Sequence, residues 1–232
     1  TPAFAYTNNQ NASFVLGQPD FSSNTPGTSP NSFNAPRGMC IWQDKFVLVD
    51  YENSRVLIWN HVPSKNNPPA DIVIGQPDFY TGTANTGGVS AHSFNEPFGV
   101  ACPEGRMIIG DLYNNRVLIW NSIPTANNQP ADVVFGQPDF TSNQENQGQA
   151  VSASTLRLVY DVYSDGVKLF VTDSGNQRLL IWNSIPTQNN QPADIVVGQY
   201  DMSTSNFDDS DPARVTCGPN SIGGVAIGVY VY

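Results

Sequence analysis

The chain has 232 residues and a formal net charge of −10, from 20 acidic and only 10 basic side chains. Lys and Arg stand singly, so there is no basic cluster to displace counterions from a phosphate backbone, and nucleic acid is excluded as a partner. No apolar run reaches the roughly 18 residues of a membrane-spanning helix, and 39% hydrophobic residues with 19 Gly and 18 Pro describe a folded, turn-rich chain.

In chain order, Ala3-Phe4-Ala5-Tyr6 and Asn11-Ala12-Ser13-Phe14-Val15-Leu16 lead into Gly17-Gln18-Pro19-Asp20-Phe21. That pentapeptide returns at Gly75 to Phe79 and Gly136 to Phe140, and in altered form at Gly198-Gln199-Tyr200-Asp201-Met202, with glycines 58, 61 and 62 residues apart. One supersecondary unit therefore recurs along the chain. Its clearest copy has a first strand around Gly99-Val100-Ala101, a second at Arg106-Met107-Ile108-Ile109, a third at Val117-Leu118-Ile119-Trp120 and an outer strand at Ala131 to Phe135. Each is short, rich in Val, Ile, Phe and Trp, and bounded by Gly, Pro, Asn and Asp, which is the composition of strands in an all-β protein. No stretch reads as a helix.

The complete units are residues 33–75, 94–136 and 154–198. Pro219 through Val229-Tyr230-Val231-Tyr232 aligns with Pro36 through Phe46-Val47-Leu48-Val49, supplying two strands of a fourth unit, and Ala3 to Tyr6 with Asn11 to Leu16 supply the other two. The expectation is a single domain over 1–232: a β-propeller of four four-stranded blades, the fourth made of residues 213–232 plus 2–17. Sharing a blade between both ends leaves no unpaired edge. Two arrangements satisfy this pattern, a ring closed within one chain or strands exchanged between copies into a homopolymer.

Between the second and third strands stands a repeated hairpin, Asp50-Tyr51-Glu52-Asn53-Ser54-Arg55, then Asp111 to Arg116, then Asp173 to Arg178. This Asp-x-x-Asn-x-Arg pattern resembles the hairpin of the NHL-repeat family, a family of β-propellers, and the resemblance covers nearly the whole chain. It implies four strands per unit around a common axis, and relatives with more blades. Some NHL relatives bind RNA, which the charge of this chain opposes.

Asp50, Asp111 and Asp173 end a strand, Asn53, Asn114 and Asn176 sit at a turn expected to need positive φ, and Arg55, Arg116 and Arg178 open the next strand. Repetition in every unit points to architecture, with Asp accepting turn amides and Arg bracing the neighbouring blade. The functional alternative makes these nine residues a binding rim around the axial opening. Trp59, Trp120 and Trp182, with Tyr6 in the fourth place, read as packing between blades. Asp20, Asp78, Asp139 and Asp201 of the pentapeptide read as caps of local amides, too far apart to share one ion.

Residues that break the repeat are the candidates for chemistry. Trp59-Asn60-His61 resembles the Trp-x-His of secreted copper proteins, and His61 with His92 would be a partial copper set. Blade topology sets the two on opposite faces, so exposed polar substitutions are the simpler reading. Asp208, Asp209 and Asp211 form the densest acidic run, a solvated loop or a local calcium site. Cys40, Cys102 and Cys217 fit no zinc or haem spacing; Cys40 and Cys102 fall on or beside first strands, as small core residues or as one disulfide with a thiol left over.

Propeller lyases and lactonases similar to this family use several His or a Glu/Asn/Asp metal cage, and no Gly-x-Ser-x-Gly, His-Glu-x-x-His or phosphate loop occurs here. The expected function is a non-enzymatic binding or scaffolding module without a cofactor, contacting a protein or glycan through the hairpin face and loops 22–32, 80–92, 141–153 and 203–213. A metal-dependent lyase or lactonase and a lectin-like propeller are the alternatives. Few Lys and loops of Asn, Ser and Thr suit a secreted or cell-surface protein.

Overall fold

The computed structural model describes residues 8–205. Among these residues twelve strands are arranged as three four-stranded antiparallel sheets, each built from consecutive segments of chain. The first sheet holds β1 (Pro36–Trp42), β2 (Lys45–Asp50), β3 (Arg55–Trp59) and β4 (Ile72–Ile74), in that order across the sheet. The second holds β5 (Pro97–Ala101), β6 (Met107–Asp111), β7 (Arg116–Trp120) and β8 (Val133–Phe135), and the third β9 (Val159–Ser164), β10 (Leu169–Asp173), β11 (Arg178–Trp182) and β12 (Ile195–Val197). The all-β expectation is met, and the only helical turns among the described residues are short 3-10 turns. Among these residues no helix is long and apolar enough to cross a membrane. The fourth unit, expected from 213–232 with 2–17, lies outside the described residues apart from its segment 8–17.

Alternation along the strands divides the core. Val47, Val49, Val56 and Ile58 of the first sheet, all fully buried, pack with Leu118, Trp120 and Val134 of the second. The opposite faces of the second sheet, through Ile108, Val117, Ile119 and Phe135, pack with Leu180 and Trp182 of the third. Trp120 and Trp182 thus lie between sheets, Trp182 with its ring centroid 4.8 Å from that of Phe135. Trp59 sits on the far face of the first sheet with Phe33 and Phe46, where Leu16 covers it. Sheet-on-sheet packing of apolar faces stabilises by about 1.5–3 kcal/mol per fully buried Val, Ile or Leu.

The inner strands come close because glycine allows it. A Cβ on Gly38 of β1 would stand 2.8 Å from the Phe98 carbonyl of β5, and one on Gly99 of β5 would stand 2.6 Å from Cα of Asp161 in β9. β1, β5 and β9 therefore pack side by side and jointly line one open cleft.

The outer strands are joined differently. Val73 of β4 donates its N–H to Oδ1 of Asn127 at 3.1 Å and accepts from the Asn128 N–H at 2.8 Å. Val134 of β8 makes the same pair of bonds with Asn189 and Asn190. Val15, which precedes the first sheet, is held likewise by Asn66 and Asn67. Each connector therefore offers a two-residue imitation of a strand to the unit before it, which satisfies an edge that would otherwise lie open.

Candidate functional site

The repeated hairpin proves to be a buried clamp. Oδ2 of Asp111 accepts from Nε of Arg116 at 2.8 Å and from Nδ2 of Asn114 at 2.8 Å, while Oδ1 accepts from the Asn95 N–H at 2.8 Å. The other two hairpins repeat this, with Asn34 and Arg157 donating in the place of Asn95. Arg116 continues outward, donating to the carbonyls of Phe140, Ser90 and Ser93. Arg55 donates to Phe79, Ser29 and Ser32, and Arg178 to Met202, Ser152 and Thr155.

Two expectations are corrected by this geometry. Each Arg binds the connectors that enter and leave its own sheet, and does not brace a neighbouring sheet. The nine residues Asp50, Asn53, Arg55, Asp111, Asn114, Arg116, Asp173, Asn176 and Arg178 are all buried, at 0–4% exposure, so they do not form a rim that a ligand can touch. Burial pushes the Asp50, Asp111 and Asp173 carboxyls up, opposed by the guanidinium and by the amide donors around each. The positive φ falls one residue after Asn, at Ser54, Asn115 and Gln177. Each Asn side chain donates to its Asp and also to a preceding loop, at Gly27, Asn85 or Asn146.

Residues between the repeated ones do reach the surface at this end. Arg37, Phe98 and Tyr160 occupy one equivalent position in the three inner strands, 61 and 62 residues apart. They form a continuous stack. The Arg37 guanidinium lies 5.3 Å from the centroid of Phe98, and Phe98 lies 5.1 Å from Tyr160 in an edge-on contact. Arg37 also stands 5.0 Å over Tyr51, which meets Phe98 edge-on at 5.7 Å. Burial and the Glu96 carboxylate that accepts its hydrogen bond push the Tyr51 phenol well above the usual tyrosine range. Tyr113, in the second hairpin, interacts with Tyr51 and is itself 45% exposed.

This stack opens onto the cleft between β1, β5 and β9, whose volume is about 960 Å³. Its walls include Met39, Ile41, Phe98 and Val100, with Arg37, Asp161 and Ser164 as polar groups. Met39 and Ile41 are exposed to it, at 68% and 57%. A largely apolar concavity of this size with a few polar groups is the usual form of a ligand site.

Cys40 and Cys102 also line the cleft and are joined as a disulfide. The reading of the two as separate buried thiols gives way to the paired alternative, because the tight packing of β1 on β5 brings their Cα atoms to 5.9 Å. Cys217 lies outside the described residues, as do Asp208, Asp209 and Asp211 of the acidic run. The histidines are not brought together. His61 pairs through Nδ1 with the exposed Asp44 beside the β1–β2 turn, whereas Nδ1 of His92 meets the Asn128 carbonyl at 2.7 Å, near the loops that Arg116 holds. Among the described residues no three His, Cys, Asp or Glu side chains converge as a metal group.

The pentapeptide aspartates cap local amides as expected. Oδ1 of Asp139 accepts from the N–H and hydroxyl groups of Thr141 and Ser142, and Asp20, Asp78 and Asp201 accept from the residues that follow them in the same way. These donors hold all four carboxyls below the ordinary value. The neighbouring glutamines had no assigned role in the sequence. Gln76 Nε2 donates to the carbonyls of Asn53, Ser54 and Thr83, tying the pentapeptide to the hairpin.

No protein-family model matches the chain, and no curated protein matches it. The candidate site residues without a signal in the repeated motifs are Arg37, Tyr51, Phe98, Tyr113 and Tyr160. Their signal is divergence inside a repeat, since a large or charged side chain that changes from unit to unit at one aligned position is not required by the repeated architecture.

Proposed function

We propose that the chain is a β-propeller of the NHL-repeat type, four units around one axis, acting as an exported, non-enzymatic binding module. The reading is supported by three equivalent inner strands that bound one cleft, by sheets built from consecutive repeats, and by the match of the Asp-x-x-Asn-x-Arg hairpin. The Cys40–Cys102 disulfide favours an oxidising compartment, since such bonds persist in secreted proteins and are reduced in the cytosol. The perturbed Asp carboxyls are each locked on an arginine and engaged by amides, which suits structure and leaves them unsuited to proton transfer.

The observation that carries the binding role is the Arg37–Phe98–Tyr160 stack beside the cleft. A guanidinium resting on aromatic faces keeps its N–H edge for a carboxylate while the rings offer flat apolar surface. The ligand is a protein or glycan that presents a carboxylate next to an apolar or planar body. Arrays of acidic peptides and acidic glycans, read with native protein and with Arg37→Ala, test this. Binding by the native chain that weakens about tenfold or more in the variant is the expected result; no hit on either array, or binding indifferent to Arg37, overturns it.

A further inference from the structure

The third sheet carries an unfinished face. In the first and second sheets the residues facing the following unit are almost wholly buried: Val47, Val56, Ile58, Ile72 and Ile74, then Ile108, Val117, Ile119, Val133 and Phe135, all at 0–4% exposure. The equivalents in the third sheet are Phe170, Leu179, Ile181, Ile195 and Val197. The first three are only partly buried, and Ile195 and Val197 are 39% and 43% exposed. The outer edge is open as well. Val196 corresponds to Val15, Val73 and Val134, yet unlike them it has no asparagine pair bonded to it among the described residues.

A fourth asparagine pair exists in the chain. Asn8-Asn9 stands eight residues ahead of Gly17, the same interval that separates Asn67 from Gly75, Asn128 from Gly136 and Asn190 from Gly198. Asn9 has φ +59°, matching +46°, +51° and +54° at Asn67, Asn128 and Asn190. It thus already holds the left-handed conformation that turns its N–H toward a strand. The pair is exposed and hydrogen-bonded to no outer strand among the described residues.

We infer that Asn8 and Asn9 latch Val196 of the same chain, Oδ1 of Asn8 accepting the Val196 N–H and the Asn9 N–H donating to the Val196 carbonyl. The latch rests on the four-unit reading and gives it a specific closing contact. Closure within one chain is favoured by geometry, because the first and third sheets already line the same cleft through β1 and β9.

Amide hydrogen exchange on the full chain tests this residue by residue. Asn127→Ala and Asn189→Ala calibrate the experiment, each expected to speed exchange at Val73 or Val134 on the order of fivefold to tenfold, the effect of one hydrogen bond. The Val196 amide should be protected like those two in the native chain, and Asn8→Ala should release it by the same factor at every protein concentration. Protection at Val196 that Asn8→Ala leaves untouched overturns the latch while leaving a closed four-unit ring standing. An unprotected Val196 overturns both. Protection that grows with protein concentration places the Asn pair on a second copy and overturns closure within the chain.

Discussion

Asp111 and Arg116 meet at 2.8 Å with neither side chain exposed, and the same pair recurs as Asp50 with Arg55 and Asp173 with Arg178. A buried ion pair is an uncertain source of net stability, but removing one partner strands the other charge in the core. Asp111→Ala should therefore cost about 3–5 kcal/mol, measured as a shift in guanidinium unfolding midpoint at unchanged slope. A loss under about 1 kcal/mol would show that the guanidinium finds water or another acceptor.

Gly75 and Gly87 separate two effects of adding a methyl group. Both have positive φ, +88° and +79°, but a Cβ on Gly75 would stand 2.1 Å from Cδ2 of Phe94, whereas one on Gly87 meets nothing within 4 Å. Gly87→Ala should cost only the backbone term of about 1–2 kcal/mol, and Gly75→Ala should add overpacking of about 1–3 kcal/mol to it. Equal losses in thermal or chemical unfolding would mean that Phe94 moves aside freely.

Stability should fall in acid through the pentapeptide caps. Asp20, Asp78, Asp139 and Asp201 have folded values below 3.8, so over that range the unfolded chain binds more protons than the folded one and stability rises with pH. Their contribution is whole above the unfolded value and disappears as pH drops through the folded ones. Asp139→Asn should lower the neutral plateau of a melting-temperature profile and leave its acid end unchanged, which flattens the limb between them. An unchanged limb would sink the assignment.

Reduction of Cys40–Cys102, which spans 62 residues, should lower stability by about 4 kcal/mol if constraint of the unfolded chain dominates. Unfolding of native protein and of Cys40→Ser/Cys102→Ser, each with and without reductant, measures it. Reductant should have no effect on the double variant; a native curve equally indifferent would contradict the bond.

Most of the fold was legible because its signals repeat. Asp at a strand end and Arg at the next strand start fixed β2 and β3, β6 and β7, and β10 and β11 to within a residue. Less legible was anything that depends on how units meet. Asn66-Asn67, Asn127-Asn128 and Asn189-Asn190 read as polar connector, since an amide that imitates a strand looks the same in sequence as one facing water. The disulfide was similarly hidden: Cys40 and Cys102 sit near equivalent places in successive units, and only the closeness of β1 to β5 around Gly38 pairs them. The candidate site is illegible for the opposite reason, because Tyr51 and Tyr113 stand at non-repeating positions inside a hairpin whose repeated residues are all structural.

The asparagine connectors also bear on how such a chain changes over time. Adjoining sheets share no strand, and what passes between outer edges is two hydrogen bonds from a short turn to a single valine. A segment of 61 or 62 residues can therefore be gained or lost whole, its leading turn serving the sheet before it and its outer strand receiving the turn after it. At these outer edges duplication needs no new chemistry, whereas the Cys40–Cys102 bridge ties the first two units specifically to one another.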